Sequence, residues 1–309
     1  MRKNILIFMM ILSPLYFWGQ HPTDNMDVRK VFPFHNTDVT LKNSWLKQRE
    51  ELNITFLKSL DPDRLLHNFR ITAKLPSDAI PLEGWESPKI GLRGHFVGHY
   101  LSAVSNLVEK YKDPLLTKHL NYMIDELYKC QQVSKNGYLS AFPDKDFEIL
   151  ETKFSGVWAP YYTYHKIMQG MLDVYIHTNN KKAYDILSGM TDYVINRMSK
   201  LSNKTIERMI YTVEANPQNE MGAMNEVLYK LYQISKAPKH LALAKLFDPD
   251  WFADPLYKNE DILSGLHSNT HLVLVNGFAQ RYAITKEKKY HDAVINFWNI
   301  LTNHHIYAN

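Results

Sequence analysis

Apolar residues recur every third or fourth position through most of the chain, a period that predicts helices. From Gly91 onward the pattern comes in pairs. Helices are expected over 92–111 and 114–132, joined at Lys112-Asp113-Pro114, where the aspartate caps and the proline suits a first turn. Further pairs are expected at 159–178 with 181–199, 219–235 with 238–248, and 265–285 with 287–303. Their joints fall around Asn179-Asn180, Lys236-Ala237-Pro238 and Lys286-Glu287-Lys288. Leu116, Leu120, Met123, Leu127 and Cys130 mark one apolar face of a helix, and Tyr290, Val294, Phe297 and Leu301 mark another. Upstream, residues 21–40 read as irregular, and a helix over 39–60 is stopped by Asp61-Pro62. Pro76, Pro81, Gly84, Pro88 and Gly91 make 72–91 a loop. Long crossings at 133–158, 200–218 and 249–264 separate the pairs, with room for short strands but no alternation that builds a sheet.

Repeated hairpins predict an all-α toroid of inner and outer helices, the first helix of each pair being inner. A closed double ring needs about a dozen helices and the pattern supplies roughly nine or ten, so an open or unfinished ring is expected. Polar clusters mark the starts of the four inner helices: 93–100 (RGHFVGHY), 161–166 (YYTYHK), 220–226 (EMGAMNE) and 267–271 (HSNTH). If those starts share one funnel mouth, positive helix ends, imidazoles, amides and aromatic rings meet there. Such a pocket suits a sugar, which needs many hydrogen bonds and flat apolar surfaces.

Composition narrows the chemistry. Aromatic residues make up 13% of the 309, with 19 Tyr and 6 Trp, enough to supply stacking surfaces as well as a core. The net charge of +4 is scattered without a basic run, so no nucleic-acid footprint is present. Arg2 and Lys3 precede an apolar run from Ile5 to Trp18, then Gly19. That reads as a signal peptide over 1–20, too short to span a bilayer comfortably, and places a helical domain over 21–309 outside the cytoplasm, periplasmic or secreted, with no membrane attachment after cleavage. The single cysteine, Cys130, excludes an intramolecular disulfide and lies on an apolar helix face, as a core residue would.

The stretches 84–86 (GWE), 92–103 (LRGHFVGHYLSA), 137–143 (GYLSAFP), 157–170 (VWAPYYTYHKIMQG), 224–226 (MNE) and 265–271 (GLHSNTH) resemble, in order and spacing, the β-L-arabinofuranosidase group of glycoside hydrolases, families 127 and 146. The resemblance runs from about residue 30 to the end. It implies an (α/α)6 barrel followed by β-rich domains, and removal of terminal L-arabinofuranose from plant polysaccharides or glycoproteins. It also implies retaining chemistry, with a cysteine nucleophile held by zinc (three Cys and one Glu as ligands) and a separate Glu as acid/base. In the family those groups follow a stretch like His305-Ile306-Tyr307, whereas this sequence stops at Asn309. The expectation is therefore a barrel truncated on its C-terminal side, inactive alone, with neither a catalytic residue nor a zinc ligand among these residues. Cys130 cannot replace them, because one thiolate does not make a cysteine-rich zinc site.

The resemblance and the residue types together mark His95, His99, Trp158, Tyr164, His165, Glu220, Asn225, His267, Asn269 and His271 as substrate-binding candidates. His95 and His99 share a helix face at i and i+4, a spacing that could hold a metal, but no third ligand is assignable. The corresponding histidine of the family helps bind sugar, which favours His165. His271 ranks ahead of His267. Glu220, Asn225 and Glu226 could equally cap a helix start; as a glycosidase carboxylate pair Glu220 and Glu226 are rejected, since six residues along a helix put them on different faces. Trp85, Trp158, Tyr161 and Tyr164 are stacking candidates, Trp251 and Trp298 are assigned to helix packing, and Arg93 is a candidate partner for Glu86. The rival readings are a non-catalytic carbohydrate-binding protein and a metal-independent toroid lyase or epimerase using His and Tyr.

Overall fold

The computed structural model describes residues 31–212 and 218–307. The leader expected over 1–20 lies outside them. Among the described residues there are thirteen α-helices and no strand. They are α1 (Trp45–Ser59), α2 (Pro62–Thr72), α3 (His95–Tyr111), α4 (Pro114–Ser134), α5 (Lys145–Lys153), α6 (Pro160–Thr178) and α7 (Lys181–Met198). Then come α8 (Asn203–Met209), α9 (Met224–Ser235), α10 (Pro238–Leu246), α11 (Asp250–Tyr257), α12 (Ser268–Thr285) and α13 (Lys288–Ile300).

The four hairpins are α3/α4, α6/α7, α9/α10 and α12/α13, and each packs on the next. Inner α3 lies on α6, α6 on α9 and α9 on α12, while α4, α7, α10 and α13 back them as an outer layer. The result is a two-layered helical arc, the all-α toroid that the 3.6 period predicts. The hairpin joints follow from capping. Asp113 accepts hydrogen bonds from the Leu115 and Leu116 N–H groups ahead of Pro114, and Asn180 accepts from Ala183 N–H.

The differences from the sequence reading are local. Helix α1 starts at Trp45 rather than at 39, because the Ser44 hydroxyl accepts from Lys47 N–H at 3.3 Å and so fixes the cap. Asp61-Pro62 ends α1 but also begins α2, with Asp61 accepting from Asp63 N–H at 2.9 Å. The crossings hold the short helices α5, α8 and α11 instead of strands. Glu220 stands before α9, not within it, since that helix begins at Met224.

Two glycines let the inner helices touch backbone to backbone. A Cβ on Gly98 of α3 would stand 2.0 Å from the Lys166 carbonyl oxygen of α6, and one on Gly170 would stand 2.7 Å from the Gly98 carbonyl oxygen. Only hydrogen fits at that crossing. Leu101, Met168, Met171 and Leu172 are fully buried on either side of it. Each contributes about 1.5–3 kcal/mol through burial, which holds the crossing shut. The tight seam fixes the starts of α3 and α6 relative to each other and so sets the site.

Candidate functional site

The start of α3 is built by a buried carboxylate. Glu86 accepts from Gly94 N–H at 2.6 Å and Phe96 N–H at 2.9 Å, satisfying donors that a helix start leaves orphaned. Gly94 takes φ +102°, a left-handed conformation that an L side chain resists. His95 Nδ1 lies 2.7 Å from the Glu86 carboxylate and 2.8 Å from the Leu92 carbonyl oxygen. Two acceptors on one nitrogen put the proton on Nδ1. Nε2 has no hydrogen-bond partner among the described residues and is available to a ligand. Arg93 does not pair with Glu86. It donates to the carbonyl oxygens of Ala141 and Ile90, both at 2.8 Å, and pins the loop beneath the helix start.

Around His95 stands a ring of aromatic groups. Its ring centre is 6.0 Å from that of His99, edge to face, and 6.2 Å from those of Tyr162 and Trp85. Trp85 meets Trp158 edge-on at 6.5 Å and is 63% exposed, an open apolar face at the rim. The backbone at Trp158 is pressed against Gly91, and Ala159 holds a left-handed φ of +41° before Pro160, a strained turn at the entrance to α6. His99 is reached by solvent, yet enough protein surrounds it that burial, Lys166 and His95 together hold its pKa at about 4. It is a neutral imidazole at neutral pH, able to donate from one nitrogen and accept at the other.

The other two helix starts join this ring through Tyr162. The Asn269 side chain approaches its hydroxyl, and Glu220 is close enough to act on it; burial, then Glu220, raises the phenol pKa. Glu220 meets His267 Nδ1 at 3.1 Å, and Thr270 Oγ1 lies 3.2 Å from the same nitrogen. Lys166, one turn beyond Tyr162, holds its ammonium 5.0 Å from that ring centre. The structure therefore gathers His95, His99, Trp158, Glu220, His267 and Asn269 at one mouth, with Trp85, Tyr162 and Lys166 among them.

The remaining candidates stand in the wall behind. His165 is 4% exposed, its Nδ1 has no partner, and it presses on Gly222, where a Cβ would stand 2.6 Å from that nitrogen. Burial, with Lys166, His99 and Lys230 nearby, holds its pKa well below the usual histidine value. His271 is 1% exposed. Its Nδ1 lies 2.7 Å from the His267 carbonyl oxygen and its Nε2 3.2 Å from that of Thr212, with Trp251 and Phe252 packed against the ring. So His267, not His271, is the accessible imidazole of that cluster. Asn225 is fully buried, donating to Asp248 at 2.9 Å and to the Leu274 carbonyl at 3.1 Å. Tyr164 and Tyr161 lie in an interior aromatic cluster with Phe147, not on a stacking surface. Trp251 packs against Phe252 as assigned, whereas Trp298 is 63% exposed.

Tyr162 and Lys166 were not among the candidates. Their signal was present: they repeat on α6 the i, i+4 spacing of His95 and His99 on α3. A separate cavity of about 460 Å³ lies at the far ends of α3 and α6. Its Glu109 and His177 satisfy each other at 2.8 Å, and none of the candidate residues lines it.

For a metal, the described residues offer little. No three His, Cys, Asp or Glu side chains are grouped to hold an ion among them. Cys130 is buried on α4, and burial pushes its thiol up to about 12. They do not fit the zinc set that the resemblance implies. No described helix is long and apolar enough to cross a membrane.

Comparison with known proteins matches the arrangement. A family model described as beta-L-arabinofuranosidase, GH127 catalytic domain, matches residues 38–309. Among solved structures the fold is similar to a GH127 beta-L-arabinofuranosidase from Geobacillus stearothermophilus T6, with a TM-score of 0.60 and 18% identity over 87% of this chain and 46% of that one. A second GH127 beta-arabinofuranosidase gives a TM-score of 0.60 and 18% identity over 89% of this chain and 44% of its own. The chain thus spans less than half the length of either, and at that identity the likeness is one of fold. No curated protein matches the chain.

Proposed function

This chain belongs to the family of GH127 beta-L-arabinofuranosidase catalytic domains, and from that premise we propose that its converging helix starts hold a terminal L-arabinofuranose of a plant glycan. One observation carries the reading: side chains from the starts of α3, α6 and α12 and from the segment leading into α9 approach one another, linked through His95, Tyr162, Asn269, Glu220 and His267. A furanose offers hydroxyls on two faces and a small apolar edge. His95 Nε2 accepts from a hydroxyl. Neutral His99 donates or accepts. The Asn269 amide and the Tyr162 hydroxyl do both, and Trp85 with Trp158 covers the apolar edge. Glu220 holds His267 in place across the mouth.

These residues bind and orient. Among the described residues the nearby carboxylates are occupied: Glu86 by backbone donors and His95, Glu220 by His267, and Glu226 by Lys230 at 2.6 Å. The Cys130 thiol is buried and stays protonated at neutral pH, so it is no nucleophile. We assign recognition to the described residues, with no nucleophile or zinc ligand among them, and no hydrolytic step is routed through zinc. The basic and apolar leader over 1–20 supports export, which the mass of the mature N-terminus reads directly.

The test is calorimetric titration of the 309-residue protein with L-arabinose and a β-L-arabinofuranosyl disaccharide, followed by assay for free arabinose. Expected are binding of both and no release. A disaccharide that binds no better than D-glucose defeats the reading, and steady release of arabinose defeats the division of labour.

A further inference from the structure

We propose that Lys166 is an anion subsite, and that the glycan taken at this mouth carries a carboxylate, as a uronic acid does, beside the pentose. The inference rests on the pentose reading above and adds the chemical class of the neighbouring unit.

At the mouth Glu86 has three donors and Glu220 has His267; Glu226, on α9, has Lys230. Lys166 has neither a hydrogen bond nor an ion pair among the described residues; it lies 5.0 Å from the Tyr162 ring centre, and the Glu226 carboxylate, already paired with Lys230, acts on it from further off. It is partly buried, and burial lowers its pKa from the usual lysine value while Glu226 pulls the other way. A partly desolvated ammonium with no carboxylate in contact costs free energy, and a ring face and the more distant Glu226 offset only part of it. The Gly98 crossing fixes the Lys166 backbone against α3, and its ammonium is close enough to His99 to help lower that imidazole's pKa.

The surroundings favour a planar anion over a bare cation site. His99 is neutral and donates an N–H without adding positive charge. The Tyr162 hydroxyl is kept protonated by burial and by Glu220, and so remains a donor. A carboxylate placed here gains one charge-assisted bond from Lys166 and neutral donors beside it. A neutral hydroxyl gains less, since Lys166 donates but cannot accept.

The experiment compares D-galacturonate with D-galactose, two rings differing at the carboxylate, by titration of the intact protein at low and high salt, with inorganic phosphate as a third probe. Galacturonate should bind at least about tenfold more tightly than galactose, with the gap narrowing as salt rises. In Lys166→Met the ratio should fall to within about twofold, and Lys166→Arg should restore part of it. Equal affinity of the two sugars for the unmodified protein overturns the proposal without recourse to any variant. A ratio that survives in Lys166→Met overturns it as well, and phosphate binding as tightly as galacturonate overturns the uronate assignment. L-arabinose in the same titrations separates the two readings. Binding of L-arabinose without a galacturonate preference leaves the pentose site standing and removes the subsite. A galacturonate preference without L-arabinose binding does the reverse.

Discussion

His165 and Lys166 are neighbours in sequence and do opposite work. Lys166 leaves α6 into the mouth and waits for a charge from outside, while His165 turns back into the wall, neutral and walled in by Gly222. The same split runs through each cluster. Glu226 is half-buried and pairs with Lys230 while Asn225 is sealed against Asp248; His267 is reachable and His271 lies under Trp251. Each polar helix start therefore divides into a rim that meets ligand and a wall that holds the rim. Consecutive residues point about 100° apart on a helix, so one motif feeds both populations. The teaching is that a motif marks a place, and the azimuth decides the task.

If that division is right, breaking the wall should cost stability and breaking the rim should cost binding. The largest effect is expected at Asp248. This buried carboxylate accepts from Asn225 at 2.9 Å, from the Tyr229 hydroxyl and from Arg281 at 2.9 Å, tying α9, α10 and α12 together. Asp248→Ala leaves the Arg281 guanidinium with Glu287 and the Tyr290 ring alone, and should cost about 3–5 kcal/mol in urea unfolding. A loss below about 1 kcal/mol would show that the network is ornamental and that the wall owes its rigidity to packing alone.

The rim and the wall were not equally legible in the sequence. The helical hairpins were, because a 3.6 period, the caps at Asp113 and Asn180 and the prolines at 114 and 238 all speak locally. Helices α5, α8 and α11 were not. They are short and lie in crossings whose period is broken, and α11 even carries Pro255 inside it. The approach of the polar clusters at the inner-helix starts to one another was legible. Which side chain faces the site was not, because azimuth depends on which inner helices touch, and that is set by the Gly98–Lys166 crossing far along the chain. So His165, Asn225, Tyr164 and His271 were drawn to the site by their chemistry, while Tyr162 and Lys166 of the same 161–166 cluster were left out.

A second way to press the comparison is pH. An unfolded histidine titrates near 6.5, whereas His165 in the fold titrates well below that because it is buried beside Lys166, His99 and Lys230. Between the two values the unfolded chain binds the proton and the folded one does not. Stability is therefore complete above about pH 6.5 and drains as the pH falls towards the folded value, by up to about 1.4 kcal/mol per pH unit. His99, depressed to about 4, acts in the same direction from its more open position. Urea melts at pH 7.5, 6.5 and 5.5 should show a decline of at least about 1 kcal/mol over the last step, and His165→Gln should make it shallower while leaving the part due to His99. A flat profile for the unmodified protein would mean that His165 is wetter than the wall reading allows.

The smallest change in stability is expected at the rim, and it is the most discriminating. Tyr162→Phe keeps the ring under Lys166 and beside His95 and removes only the hydroxyl that Asn269 approaches. The position is half-buried, and the lost group can be replaced by water, so unfolding free energy should move by no more than about 0.5–1 kcal/mol. Affinity for L-arabinose should fall further in proportion, by about three- to tenfold, because a ligand hydroxyl loses a directed partner in a site where water is displaced. Melting and titration on the same preparation read both numbers. If the melt drops as far as that of Asp248→Ala while the affinity of the surviving folded protein is unchanged, Tyr162 belongs to the wall. The mouth would then be narrower than four converging helix starts suggest, with recognition resting on His95, His99 and the two tryptophans at the start of α3.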